Sequence, residues 1–101
     1  MTIFHSVYFY FKDDVSDQQI ELQRLAIIND LSKIPIVNKI WAGGPAGIKR
    51  DVVDNTYGMS LHTIFNNREA LDTYQAHELH LKFLDTFKKN WVKVIVYDSA
   101  V

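Results

Sequence analysis

A chain of 101 residues, 48% hydrophobic and 23% charged, is enough for one compact core and leaves nothing for a second, so residues 1–101 are expected to form a single domain. Eleven basic against twelve acidic residues, with a formal net charge of −1 and no long run of either sign, leave no electrostatic footprint for nucleic acid or an anionic membrane. The absence of cysteine removes disulfides, thiolate metal sites and a cysteine nucleophile, and it fits a reducing cytoplasm, the expected location.

The first element is the run Ile3 to Lys12, IFHSVYFYFK, rich in aromatic and β-branched residues. Ile3, His5, Val7, Phe9 and Phe11 fall on one face of a strand and Phe4, Ser6, Tyr8 and Tyr10 on the other, so both faces are at least partly buried. The run is short, is interrupted by His5 and Ser6, and has neither a basic leader nor a small-residue cleavage site, so it reads as a strand and not as a signal peptide. No segment has the ~20 apolar residues of a membrane-spanning helix, and a soluble protein is expected.

Asp13-Asp14 ends the strand, and Ser16 with Gln19 has the pattern of a capping box. A helix is expected from there to about Ile34, with Ile20, Leu25, Ile28 and Leu31 in a broad apolar stripe, stopped by Pro35. Val37 to Ala42 reads as a second strand. Gly43, Gly44 and Gly47 open a loop that continues through Asn55; their spacing matches no phosphate-binding motif, and no helix follows to hold an anion. Thr56 to Phe65 alternates Tyr57, Met59, Leu61 and Phe65 against Gly58, Ser60 and His62, a strand with two unlike faces.

Asn66-Asn67 caps a helix expected from Arg68 to about Lys89, with a break near Glu78, and Trp91 to Tyr97 is a last strand of high β-propensity. The order β-α-β-β-α-β predicts an α+β, ferredoxin-like domain: a four-stranded antiparallel sheet with helices on one face. The other face is left open and apolar, and a second copy of the chain is its simplest cover, so a homodimer is expected. His62, on the small polar face of the third strand, belongs on this reading to the subunit interface.

Candidate chemistry concentrates in EALDTYQAHELHLKFLD, Glu69 to Asp85, where Tyr74, His77 and His80 recur at intervals of three and are expected to share a helix side. A histidine titrating near pH ~6.5 and a phenol able to donate to a carbonyl or enolate oxygen together suit proton abstraction beside a carbonyl. The spacing alone fits better a core-edge tyrosine with one or both histidines bonded to backbone at a helix break. His5 adds an imidazole to an apolar strand face, where it needs a partner: the Tyr74, His77 and His80 group if that face meets the second helix, or otherwise a bond that satisfies it in the core or at the sheet end. The HxxH spacing lacks the carboxylate of a metalloprotease motif, and no metal is assigned. No serine elbow or paired-carboxylate pattern supports acyl transfer or glycoside hydrolysis.

Taken together, the opening strand IFHSVYFYFK, the helix end LSKIP, the segment TYGMSLHTIFNNREALDTYQAHELH and the closing WVKVIVYD resemble the stress-responsive A/B barrel domain family, over nearly the whole chain. The resemblance implies a dimeric α/β barrel, with two ferredoxin-like subunits packed sheet against sheet and a cavity between each sheet and its helices. Its enzymatic branch includes plant polyketide cyclases, in which a tyrosine and a histidine promote an aldol closure without a cofactor. On that pattern Tyr74 and His80 match the catalytic pair, and His5 and His77 the ligand-binding histidines around them. The usual proline between the two histidines is Glu78 here, which bears on the geometry of the helix junction.

Three functional classes follow. One is a stress-responsive barrel protein of unassigned activity that binds a small apolar or aromatic carbonyl ligand. Another is a cofactor-independent cyclase-like lyase using Tyr74 and His80, and the third is a cofactorless monooxygenase, for which no residue singles out an oxygen-activating site. The residues leave open whether the protein is an enzyme.

Overall fold

The computed structural model describes residues 1–101. Four strands, β1 (Ile3–Phe11), β2 (Ile40–Gly43), β3 (Met59–Phe65) and β4 (Trp91–Ala100), form one antiparallel sheet in the order β2-β3-β1-β4. Three α-helices, α1 (Asp17–Asn29), α2 (Arg68–Ala76) and α3 (Glu78–Phe87), cover one face. This is the expected ferredoxin-like α+β architecture, with the second helix divided in two. No helix is long and apolar enough to cross a membrane.

Alternation along the strands decides which residues enter the core. Ile3, His5, Val7 and Phe9 of β1 and Met59, Leu61, Thr63 and Phe65 of β3 are all buried under the helices, where they meet Ile27 of α1, Leu31 and Ile34 beyond it, Leu71 and Tyr74 of α2, and Phe83 of α3. Buried polar groups there are bonded: Thr63 Oγ1 donates to the Lys39 carbonyl at 2.7 Å. Gly58 tolerates no side chain, since a Cβ would lie 2.4 Å from the Phe11 ring. The pairing of β1 with β4 shifts between Tyr10 and Phe11, which leaves Val92 outside the ladder.

Several boundaries differ from the sequence-based expectation, each for a local reason. Helix α1 does form its capping box, with Ser16 and Gln19 exchanging bonds, but ends at Asn29 instead of Ile34. Ser32 Oγ donates to the Ile28 carbonyl at 2.6 Å, and Leu31–Lys33 tightens into a 3₁₀ turn. Pro35 then occupies a reverse turn closed by Val37 N–H to the Ile34 carbonyl, so β2 begins only at Ile40. Thr56 is held by Asp54, whose carboxylate accepts from both its backbone N–H and its hydroxyl, and the regular strand β3 starts at Met59.

The opposite sheet face carries Phe4, Tyr8, Tyr10, Trp41, Ile95 and Tyr97, with Phe4, Trp41 and Tyr97 well exposed. His62 lies among them, accepting or donating to Ser6 Oγ at 3.0 Å and Ser60 Oγ at 3.1 Å, and its ring packs edge-on to Tyr8. Partial burial holds its pKa below the ordinary value.

Candidate functional site

Between the sheet and the α2–α3 pair lies a cavity of about 140 Å³ whose walls include His5, Tyr74, His80, Phe83, Trp91 and Val96. Its volume is many times the ~10–15 Å³ needed for one water, yet below the ~300 Å³ usual for drug-sized ligands. Only a compact ligand enters without movement of the walls. The uncovered helix side of edge strand β4, with Val94 and Val96 partly exposed, borders it.

Three of the four residues singled out in the sequence meet here. Tyr74 projects from α2 and is buried, with its ring centroid 4.7 Å from His80, 5.0 Å from Phe65 and 6.0 Å from His5. Burial pushes the phenol's pKa well above its ordinary value, so the hydroxyl stays protonated and able to donate. The hydroxyl makes no hydrogen bond inside the chain; since no fully buried side-chain polar atom lacks a partner, it keeps contact with the accessible space of the cavity.

His80, from the first turns of α3, donates through Nδ1 to the Gln75 carbonyl at 3.1 Å. That bond places the proton on Nδ1 and leaves the Nε2 lone pair free. Burial lowers its pKa, with the nearby His5 acting in the same direction and the Gln75 bond against it. His5, held on the central strand β1, donates through Nδ1 to Asp98 Oδ1 at 2.5 Å, so its Nε2 is also unprotonated in the neutral ring. The two imidazoles thus share one cavity with a phenol, and a positive charge on His5 opposes one on His80.

His77 is the exception. It does not line the cavity. The helix breaks at this residue, which is extended (φ −66°, ψ 142°), and its Nδ1 accepts the Leu79 N–H at 3.1 Å, so it serves as N-cap of α3. The three-residue spacing therefore does not place Tyr74, His77 and His80 along one continuous helix side; the break brings Tyr74 and His80 together and turns His77 into the junction. Glu78 becomes the first residue of α3, a position that suits proline and where a carboxylate also complements the helix dipole, so the junction forms without the proline.

Asp98 is the residue that the sequence reading missed. It faces His5 across the β1–β4 ladder, on the same strand side as Val94 and Val96. A carboxylate ending an apolar period-two series was the available signal. No group of three His, Cys, Asp or Glu side chains is arranged to hold a metal ion. A larger concavity, about 360 Å³, lies on the opposite sheet face between Tyr8, Tyr10, Tyr57 and Tyr97, with Asp54 and Ile95. It contains no histidine, and its one carboxylate, Asp54, already accepts two bonds from Thr56.

The depressed pKa values of His62 and His80 set the sign of a pH effect. Both rings are ordinary in the unfolded chain, near 6.5, and harder to protonate in the fold. The folded state is therefore expected to lose stability as pH falls from about 6.5 through the lowered values, with little contribution above. Denaturation midpoints between pH 8 and 5 test this, and a flat profile would contradict it. Two-dimensional NMR of the imidazole protons should show His80 titrating below the ordinary value.

Comparison with known proteins agrees with this architecture. Olivetolic acid cyclase of Cannabis sativa is 24% identical over 98 residues, spanning 97% of this chain and 95% of its own length. A dimeric ferredoxin-like protein from Thermobifida fusca superposes with a TM-score of 0.85 at 20% identity, covering 100% of this chain and 92% of the other. Hydroxynitrile lyase from Passiflora edulis does so with a TM-score of 0.85 at 16% identity, covering 99% and 93%. The stress responsive A/B barrel domain matches residues 3–101, and the chain belongs to that family.

Proposed function

We propose that the chain acts as a homodimer that binds a compact apolar or aromatic carbonyl compound between sheet and helices. The observation carrying this reading is the meeting of His5, Tyr74 and His80 around one cavity whose walls, Gln75 aside, are otherwise apolar. Tyr74 donates to the carbonyl oxygen, and the aromatic and aliphatic walls hold the remainder. A second copy covers the open sheet face, whose exposed aromatic residues otherwise remain in water; several structural neighbours are themselves dimeric.

A second reading, turnover, is favoured by the protonation pattern. His80 presents a free Nε2 at neutral pH and takes a proton from the carbon beside the carbonyl, while the protonated Tyr74 donates to the enolate oxygen that develops. Asp98 keeps His5 in a fixed tautomer beside them. A cyclase among the relatives and a lyase among the structural neighbours support this chemistry. No oxygen-activating arrangement stands out, and the monooxygenase reading draws no support from this site.

Acetophenone in deuterated buffer separates the two. Binding is read by saturation-transfer NMR, and proton abstraction by exchange of the methyl protons. Turnover predicts exchange that falls by about 10²-fold or more in both Tyr74→Phe and His80→Ala, with folding unchanged. Binding without exchange leaves the ligand-binding reading and removes the catalytic one; no binding removes both.

A further inference from the structure

Gln23 is one of four buried polar residues, with His5, Ser60 and Thr63, and the only one of them on a helix. It lies on α1 and is completely buried. Its Oε1 accepts the Trp91 indole N–H at 2.8 Å, whereas its Nε2 has only the Met59 sulfur, at 3.5 Å. An amide so placed carries a desolvation cost that a leucine or methionine would avoid, and its single strong bond is the one to Trp91.

Trp91 in turn is a wall of the cavity. It begins β4, is only half-buried, and stacks 4.7 Å from Phe9 and 6.0 Å from Phe83, both of which also line the space. It follows directly on a 3₁₀ turn, Lys88–Asn90, and packs on the Phe9 and Phe83 rings without being enclosed. The Gln23 bond fixes its rotamer from behind.

We propose that Gln23 is a positioning residue that sets the cavity's size selectivity by pinning Trp91 as its wall. This inference rests on the cavity being a ligand site. The class selected is a single-ring aromatic carbonyl compound, with fused-ring homologues rejected by contact with the pinned indole. Gln23 itself does not line the cavity and touches no ligand.

Calorimetric titration with acetophenone and 2-acetonaphthone tests it. The unaltered protein is expected to favour acetophenone by about 10-fold, the effect of forcing extra atoms against a packed wall. Gln23→Met keeps the volume but removes the acceptor, and it should bring the preference close to unity. In ¹H–¹⁵N spectra the Trp91 indole proton should at the same time lose its protection from exchange, while that of exposed Trp41 stays unchanged. Trp91→Phe shortens the wall directly, should shift the preference likewise, and decides the matter if Gln23→Met does not fold. An unchanged preference in the folded variants overturns the proposal while leaving the pocket intact. Failure of every form to bind either ketone defeats the ligand-site reading itself.

Discussion

Replacing Phe65 by alanine should remove about 3–5 kcal/mol of folding free energy, the usual cost of emptying a buried phenylalanine site. For a domain of this length that is a large share of a total stability of ~5–15 kcal/mol. The ring is fully buried at the end of β3, 5.0 Å from Tyr74 and 6.1 Å from His5, so it is the common backing of both. The loss therefore reaches the site as well as the core. Chemical denaturation gives the stability change, and NMR of the His5 and Tyr74 resonances gives the disorder. A change under 1 kcal/mol would mean that the helices close over the gap and that the packing described here is wrong.

The second large effect is expected on assembly. Ile95 lies on the open sheet face, directly opposite Tyr8 on the neighbouring strand. If two copies meet through this face, Ile95→Asp buries a carboxylate without a partner, and two-fold symmetry does so twice. At about 3–5 kcal/mol for each such charge, dimer dissociation should strengthen by roughly 10⁴-fold or more. Sedimentation should show the unaltered protein as a dimer and the variant as a folded monomer. The same mass for both, whether dimer or monomer, would remove this face from the proposed assembly.

How much of this was legible beforehand follows the range of the forces involved. Strand β1 was readable because its alternation is local: His5 had to lie with Val7 and Phe9, and it does. The capping box at Ser16 and Gln19 was readable for the same reason. The break near Glu78 is legible and falls there, but its mechanism is not: no proline or glycine marks it, and an imidazole capping the next helix lies outside the usual capping residues. Asp98 escaped because its role depends on strand register across most of the chain, which no window of sequence contains. The cavity's volume depends on how side chains from five elements interlock, with Gln23 of a sixth bonded to Trp91 from outside the lining, and composition carries no measure of that.

The bond between His5 and Asp98 joins positions 93 residues apart, and Trp91, Val94 and Val96 arrive on the same late strand. A nascent chain can thus raise its helices against β1, β2 and β3 before any pocket exists. The cavity acquires its last wall only when β4 zips alongside β1, the pairing of longest sequence range in the sheet.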